Sequence, residues 1–307
     1  MANTIPLPQN ITDLHVSNEA SPTCRSENDV LVNITHAGLN HVDLLYCRGK
    51  HQNNRSLVTP PFILGLEFAG IIAAAPGSST FKPGDRVLGG GVGGFAEQIV
   101  VKENTLRKVP DGWSLEDAAG IAATAPVSYG ALVQLANVKK GETVLVHAAA
   151  GGLGVMAVQI ARALGAAVIG TVGSAGKENV VKALGATVVR YDVDDWEQQV
   201  LDLTGGLGVD VVYDSLGLVE KSIRCLKFAG RIIIIGFAGL EGKMEKVAMN
   251  RILLKSARVF GYVSTPQVRS LMSNVNDVRS ALERLADGFQ PRPKRSGEVW
   301  KTCSSKA

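Results

Sequence analysis

The sequence has few cysteines and no long hydrophobic run, and both absences exclude classes of protein. Its 307 residues include four cysteines, Cys24, Cys47, Cys225 and Cys303, which lie far apart. This spacing excludes a zinc knuckle or a small disulfide framework and favours inert thiols in a reducing compartment. No stretch approaches about 18 consecutive apolar residues, and the N-terminus lacks the basic and apolar regions of a signal peptide. We therefore expect a cytoplasmic protein with no membrane partner.

The chain also has little net charge, +4 at pH 7, and its C-terminus carries that excess. After Phe289, five basic residues stand against one acid, Glu298, so the rest of the chain is close to neutral. A basic tail can contact nucleic acid, but the only aromatic residue in this one is Trp300. We therefore expect a solvated, disordered tail at residues 290–307 and no nucleic-acid partner.

Residues 141–165 combine a short β-branched run, a stretch with almost no side chains, and apolar residues at helical spacing. This order predicts a strand at 143–146, a tight turn, and a helix from about Val155. The turn carries Ala149-x-Gly151-x-x-Gly154, a variant of the G-x-G-x-x-G pattern of dinucleotide sites with alanine in the first position. In such sites the pyrophosphate lies on backbone amides at the helix N-terminus. A glycine turn that serves only packing is the alternative.

The segments that follow alternate between strands and helices, which strengthens the nucleotide-binding interpretation. Strands are predicted at residues 167–172, 187–190, 209–213, 231–235 and 259–262. Strands separated by helices build a doubly wound parallel sheet, which binds ligands at the carboxyl ends of its strands.

The first 110 residues instead predict an antiparallel, barrel-like β domain. Its strands are expected at residues 30–34, 68–74, 85–88 and 96–101, with glycine and proline between them. We interpret residues 89–94, GGGVGG, as a flexible loop with several positive-φ positions.

Four motifs precede the glycine turn: NHVDLL from Asn40, PFILGLEFAG from Pro61, GDRV from Gly84 and GFAE from Gly94. Together with HAAAGGLG they resemble the medium-chain dehydrogenase/reductase superfamily, and most closely its zinc-independent quinone oxidoreductase (ζ-crystallin-like) branch. The resemblance covers most of the chain. It implies an α/β protein in which a GroES-like, β-rich catalytic domain is split around a Rossmann domain, with the substrate in the cleft between them.

The resemblance divides the chain into four segments. Residues 1–117 form the N-terminal part of the GroES-like domain, and residues 118–262 form the Rossmann NADP-binding domain. The first boundary follows Ser114, a predicted N-cap with Glu116 and Asp117 in the first helical turn. Residues 263–289 are expected to return to the catalytic domain as a foreshortened helical segment, and residues 290–307 are the disordered basic tail.

The zinc ligands of related alcohol dehydrogenases have no counterparts in this sequence. By the resemblance, Asn40 stands in place of the cysteine and Leu66 in place of the histidine. No Cys or His occurs between Val109 and Val146, where a third ligand would lie. A catalytic zinc needs about three protein ligands, so we expect no metal.

Without a metal, the expected reaction is hydride delivery from a nicotinamide to a quinone or an α,β-unsaturated carbonyl compound. Such a small molecule is the expected partner, and a homodimer is left open. An enoyl reductase acting on biosynthetic thioester intermediates is one alternative. A nucleotide-binding protein with little turnover is the other.

The candidate catalytic residues belong to the first motif or follow it closely. Asn40 is the candidate donor to a carbonyl oxygen on which negative charge develops, with a structural helix cap as the alternative. Tyr46 and His51 are candidate pocket residues, although a position in a surface loop is the favoured interpretation for both.

The residues after the second Rossmann strand favour NADPH over NADH. An NAD site places an acid on the ribose about 20 residues after the glycine turn, and residues 170–176 contain none. Ser174 lies in this segment, and Lys177 follows it directly. The resemblance gives Lys177 the 2′-phosphate and Tyr191 an adenosine or phosphate contact, with a solvated lysine at a helix start as the alternative. The other predicted cofactor contacts are Ala150, Gly151, Gly152, Leu153 and Gly154 at the pyrophosphate, and Gly236, Phe237 and Ala238 at the nicotinamide half.

Overall fold

The computed structural model describes residue 14 and residues 16–50, 61–239 and 245–263. These residues divide into two compact units, one up to Ala123 and the other from Thr124 onward. Within the described ranges, no helix is long and apolar enough to cross a bilayer. The predicted return helix and basic tail lie outside the described residues except for Val263, as does His51. The predicted segment boundaries stay predictions.

The N-terminal unit is built on a five-stranded antiparallel sheet in the order β4-β1-β2-β3-β5. Its strands are β1 (Asp29–Ala37), β2 (Glu67–Ala74), β3 (Arg86–Gly90), β4 (Gln98–Lys102) and β5 (Leu106–Lys108). The four predicted strands are confirmed. The sequence analysis missed β5, a three-residue strand with two basic side chains that is held by its pairing with β3.

A compact apolar core lies against this sheet because inward-facing side chains alternate along the strands. Val30 and Val32 of β1 and Phe68 of β2 are completely buried. The same cluster contains Ile72, Phe81, Val87, Ile99 and Leu106.

The prediction of a flexible loop over residues 89–94 is wrong for its first two residues. Gly89 and Gly90 belong to β3 and pair with Phe68 and Glu67 of β2. A Cβ at Gly89 would come within 2.7 Å of a Leu106 methyl group and 2.8 Å of the Phe68 ring. Among these six residues, all of them described, only Gly93 has a positive φ. Close packing, rather than a left-handed backbone, therefore explains Gly89.

Two short helices accompany the antiparallel sheet: α1 (His41–Cys47) and α2 (Leu115–Ala119). The predicted N-cap of α2 is confirmed, since the Ser114 hydroxyl accepts a hydrogen bond from the Asp117 backbone N–H at 3.0 Å. A 3₁₀ turn at Glu103–Thr105 joins β4 to β5.

The second unit contains a six-stranded parallel sheet in the order β11-β10-β9-β6-β7-β8. Its strands are β6 (Thr143–Val146), β7 (Ala167–Val172), β8 (Thr187–Arg190), β9 (Val209–Asp214), β10 (Leu226–Ile234) and β11 (Arg258–Gly261). All the predicted strands are confirmed. The central residues Val144 of β6, Val212 of β9 and Ile232 of β10 are fully buried, as expected for a sheet that is covered on both faces.

Helices connect these strands: α3 (Thr124–Tyr129), α4 (Gly152–Ala163), α5 (Glu178–Ala183), α6 (Trp196–Leu203), α7 (Val219–Arg224) and α8 (Met249–Lys255). A π-helical segment, Gly130–Leu135, continues α3. The glycine-turn helix α4 begins at Gly152, three residues before the predicted start. Because strand order reverses at the β6–β9 pair, the carboxyl ends of these strands mark the switch point where such sheets bind ligands.

Candidate functional site

The turn between β6 and α4 is close-packed and requires small residues. Ala148 has a φ of 49°, and its carbonyl accepts a hydrogen bond from the Gly151 N–H at 2.8 Å. A Cβ at Gly154 would lie 2.2 Å from the Ala148 oxygen and 2.6 Å from the Ala149 Cα. Only glycine fits at position 154, which brings the start of α4 against the end of β6.

The N-terminus of α4 can receive an anion. Gly151 is the N-cap residue and provides no side-chain cap. The first amides of a helix have no intrahelical acceptor, and they carry the positive end of its dipole. Gly151 and Gly152 are exposed, whereas Ala150 and Leu153 are half-buried. This exposed, uncapped turn fits a pyrophosphate.

The carboxyl end of β7 leads to the predicted adenosine end of the cofactor site. A Cβ at Gly173 would lie 2.7 Å from the Tyr191 hydroxyl, so this ring lies close over the glycine. Ser174 is half-buried and Lys177 is exposed. The acids that directly follow Lys177 and Tyr191 in the sequence form ion pairs with other residues, Glu178 with Lys182 at 2.7 Å and Asp192 with Arg190 at 2.6 Å.

The loop after β9 is organised by Asp214, a residue that the sequence analysis did not single out. This carboxylate is buried, and it accepts hydrogen bonds from the backbone N–H groups of Leu216, Gly217 and Leu218 at 2.7–2.9 Å. Its sequence signal is an aspartate at a strand end, followed by a Ser-Leu-Gly turn. The Ala238 N–H in turn donates to the Ser215 carbonyl at 3.1 Å, so this loop supports the segment after β10.

The predicted cofactor residues of the second unit thus follow strands β6, β7, β8 and β10, at the edge of one sheet that their carboxyl ends form. The pyrophosphate turn follows β6, Ser174 and Lys177 follow β7, and Tyr191 follows β8. Gly236, Phe237 and Ala238 follow β10, where the first two are half-buried and Ala238 is exposed. At this edge, the backbone N–H groups of the glycine turn lie near the centre of the sheet, and the exposed Lys177 lies to one side.

The predicted catalytic residue Asn40 lies in the N-terminal unit as the N-cap of α1. Its Nδ2 donates to Oε1 of Glu67 at 2.8 Å, and its backbone N–H donates to Oδ2 of Asp43 at 2.7 Å. Glu67 is 2% exposed, and its Oε2 accepts from the Ala123 N–H at 2.8 Å. Asn40 therefore occupies the helix-cap position, which was its alternative interpretation. Its side chain also donates to Glu67, a hydrogen bond that capping does not require.

The expectation that Tyr46 lies in a surface loop is wrong. Tyr46 is on α1 and is 5% exposed, because position 46 falls on the inner face of the helix. Burial, and secondarily the nearby Asp43 charge, raise the pKa of Tyr46. Asp43 is 4% exposed, and burial raises the pKa of its carboxyl group to about 6.

Comparisons with known proteins match both halves of the chain. Residues 26–111 match the family described as alcohol dehydrogenase GroES-like domain, and residues 152–287 match the zinc-binding dehydrogenase family. The quinone oxidoreductase-like protein 2 of Bos taurus is 37% identical over 297 residues, which cover 93% of this chain and 82% of that protein. A 2-haloacrylate reductase of Burkholderia is 33% identical over 83% of this chain and 78% of its own length.

The solved structure of the Escherichia coli quinone oxidoreductase complexed with NADPH is also similar. It superposes with a TM-score of 0.75 at 30% identity, over 88% of this chain and 82% of that one. The chain belongs to the medium-chain dehydrogenase/reductase superfamily. It is an oxidoreductase of that superfamily, it resembles the quinone oxidoreductases, and its cofactor is a nicotinamide nucleotide.

In this medium-chain dehydrogenase/reductase, the two positions that the sequence resemblance compares with zinc ligands hold a carboxamide, Asn40, and an aliphatic side chain, Leu66. The Asn40 carboxamide donates a hydrogen bond to Glu67. The Leu66 backbone carbonyl accepts a hydrogen bond from the Gly91 N–H at 3.0 Å. Across the described ranges, no group of three or more His, Cys, Asp or Glu is arranged to hold a metal ion. Zinc independence stays a prediction.

Two buried residues of this dehydrogenase/reductase, Ser128 and His147, make contacts that support the glycine turn, and the sequence analysis missed both. The Ser128 hydroxyl on α3 donates to the Leu153 carbonyl at 3.1 Å and lies 2.9 Å from the Tyr213 hydroxyl. His147, directly before the turn, lies between the hydroxyls of Thr171 and Ser222 at 2.9 and 2.8 Å. Each contact joins residues far apart in the sequence, so no local pattern signals it.

Proposed function

We propose that this protein is an NADPH-dependent, zinc-independent reductase of quinones or α,β-unsaturated carbonyl compounds. The proposal rests on the residues that follow the carboxyl ends of β6, β7, β8 and β10, which we call the cofactor edge. The uncapped turn at Gly151 is followed, one strand further, by an acid-free segment with Tyr191 over Gly173 and an exposed Lys177. An acid in that segment would repel a 2′-phosphate, whereas Lys177 attracts one.

The residues of the edge have distinct roles in this proposal. The turn residues from Ala150 to Gly154 bind the pyrophosphate through backbone N–H groups. Ser174 and Lys177 bind the 2′-phosphate, and Tyr191 packs beside the adenosine. Gly236, Phe237 and Ala238 position the nicotinamide half. When bound, NADPH supplies the hydride.

In the N-terminal unit, Asn40 offers an N–H group to the substrate oxygen on which negative charge develops. A fixed donor costs no reorganisation during the reaction, which is the source of its catalytic effect. Tyr46 is proposed to line the substrate pocket from α1. The likeness to proteins named for quinone and 2-haloacrylate reduction supports an electron-poor acceptor.

The test follows the absorbance of NADPH with a panel of quinones, enones and enoyl thioesters, and repeats each assay with NADH. Oxidation of NADPH by a quinone or an enone, in preference to NADH, is the expected result. Turnover confined to thioesters would replace the proposal with an enoyl reductase. Tight NADPH binding without oxidation by any compound would indicate a binding protein.

A further inference from the structure

We propose that Glu67 is a positioning residue, which holds the Asn40 carboxamide in one orientation and thereby determines the group that Asn40 offers to substrate. The inference rests on the proposed role of Asn40. Glu67 belongs to the N-terminal unit and is not one of the predicted cofactor residues. One of its carboxylate oxygens accepts a hydrogen bond from Asn40 and the other accepts one from Ala123.

The burial of Glu67 and the hydrogen bonds to both of its oxygens leave the Asn40 carboxamide one favourable orientation. An ionised carboxyl group has only acceptor oxygens, whereas an asparagine side chain has a donor end and an acceptor end. The 2.8 Å contact to Glu67 Oε1 therefore requires the nitrogen of Asn40 on that side. Rotating the amide would bring two oxygens together at a buried site, where an acceptor without a donor is unfavourable.

Glu67 is itself held in place from two directions. Its Oε2 accepts from the Ala123 backbone N–H at 2.8 Å. On the other side, a Cβ at Gly38 would lie 2.3 Å from Oε1 and 2.7 Å from Cδ, so the side chain packs directly on the Gly38 backbone. The Gly38 N–H also donates to the Glu67 carbonyl at 3.2 Å. The carboxylate is a rigid reference point for Asn40.

This arrangement uses one of the two Nδ2 hydrogens and leaves the second weakly engaged. The second hydrogen has the Gly38 carbonyl at 3.5 Å, which is the outer limit of a hydrogen bond. A substrate oxygen that offers a shorter bond can displace this contact. Glu67 thus supplies orientation and Asn40 supplies the donor.

Replacing Glu67 by glutamine disturbs this arrangement in a defined way. A glutamine has one acceptor oxygen for two donors, the Asn40 Nδ2 and the Ala123 N–H. If its oxygen stays at Ala123, its amide nitrogen faces the Asn40 nitrogen, and the Asn40 carboxamide rotates to present its oxygen. The donor is then lost to the substrate although the size of the side chain is unchanged.

The kinetic test compares Glu67→Gln in the parent and in an Asn40→Ala background. In the parent, we expect kcat to fall roughly ten- to hundredfold, with the Kd for NADPH unchanged. In the Asn40→Ala background, the same substitution should have little further effect. Equal losses in both backgrounds would show that Glu67 acts independently of Asn40 and would overturn the proposal.

A swapped pair separates orientation from folding. In Asn40→Asp/Glu67→Gln, the new glutamine can donate to the new carboxylate and still accept from Ala123, so thermal stability should recover relative to Glu67→Gln alone. Activity should not recover, because the donor at position 40 is gone. Recovery of both would overturn the proposal. Glu103→Gln is the matched control, since Glu103 also accepts two hydrogen bonds, both from Thr80.

A measurement without substrate distinguishes this inference from the proposed function. In protein labelled with ¹⁵N-asparagine, the Asn40 carboxamide signal is identified by its loss in Asn40→Ala. We expect Glu67→Gln to shift that signal strongly and Glu103→Gln to leave it in place. An unshifted signal in Glu67→Gln overturns the inference. If the signal shifts but no panel compound is reduced, only the proposed function fails.

Discussion

Asp43 and Glu67 are buried carboxyl groups that both accept a hydrogen bond from Asn40, but the rest of their hydrogen bonding differs. Both oxygens of Glu67 accept hydrogen bonds. Only Oδ2 of Asp43 does so, while its buried Oδ1 has no partner among the described residues. Burial without full compensation disfavours the charged form, which is why the pKa of Asp43 rises to about 6.

This raised pKa predicts how Asp43 affects stability. An aspartate whose pKa is higher in the folded protein than in the unfolded chain destabilises the fold at high pH, and the cost disappears as pH falls through about 6 toward 4. A shift of this size corresponds to about 3 kcal/mol. Asp43→Asn can still accept from the Asn40 N–H, so it should be more stable than the parent at about pH 8 and equal to it near pH 4.

Urea unfolding at both pH values measures the effect of Asp43→Asn. Asp85→Asn is a control of opposite sign, because the Lys82 N–H and Lys108 lower the pKa of Asp85. That variant should lose stability at high pH and approach the parent at low pH. If Asp43→Asn is destabilised equally at both pH values, the charge on Asp43 carries no cost.

Lys177 is the residue that tests cofactor choice. A charge-assisted hydrogen bond contributes roughly 1.5–3 kcal/mol, so Lys177→Ala should weaken NADPH binding about ten- to hundredfold. NADH has no 2′-phosphate, and its Kd should barely change. Titration calorimetry with both cofactors measures the difference. Lys182→Ala, a nearby exposed lysine paired with Glu178, should change neither Kd. Equal losses for both cofactors in Lys177→Ala would assign Lys177 a structural role.

At the scale of elements, the turn between β6 and α4 shows how packing and binding share residues. Gly154 is required by the close approach of the Ala148 carbonyl. A Cβ at the exposed Gly152 would instead make only an ordinary contact, 3.5 Å from a Thr124 methyl group. The two glycines are two residues apart, yet the structure requires glycine only at position 154 and leaves room for a Cβ at position 152.

Substitution by alanine should separate these two roles. Gly154→Ala forces the helix away from the strand, so it should destabilise the protein by several kcal/mol and weaken both NADPH and NADH. Gly152→Ala should fold normally and melt close to the parent. Thermal unfolding and cofactor titration of the two variants provide the comparison. Equal melting temperatures would mean that the turn relaxes without cost.

The helices and strands also show which parts of the fold could be predicted from the sequence. The parallel strands were predictable because most of them contain a short apolar, β-branched run, such as TVLV in β6 or the three isoleucines at the end of β10. The strand β5 and the Gly89 end of β3 were not, because a strand of three residues or a glycine pair is determined by its neighbours across the sheet. Tyr46 was misplaced for a different reason, since a seven-residue helix gives little periodicity to measure.

At the scale of the whole molecule, the metal content tests the assignment to the zinc-independent branch. A carboxamide at Asn40 and an isobutyl group at Leu66 cannot supply the thiolate and imidazole that zinc prefers. The purified full-length protein should therefore contain far less than one zinc per chain by elemental analysis, and chelators should leave its activity intact. About one zinc per chain, lost together with activity on chelation, would contradict the prediction.

The sequence by itself determined the family, the two kinds of sheet and the glycine turn, because these depend on motifs that are local in the chain. The tertiary structure alone decided which polar groups meet. Asn40 and Glu67 are 27 residues apart, and Glu67 and Ala123 are 56 apart, yet the three are joined by two 2.8 Å hydrogen bonds. Ser128 and Tyr213 meet across 85 residues. No local spacing encodes such contacts, since they form only when strands and helices have packed.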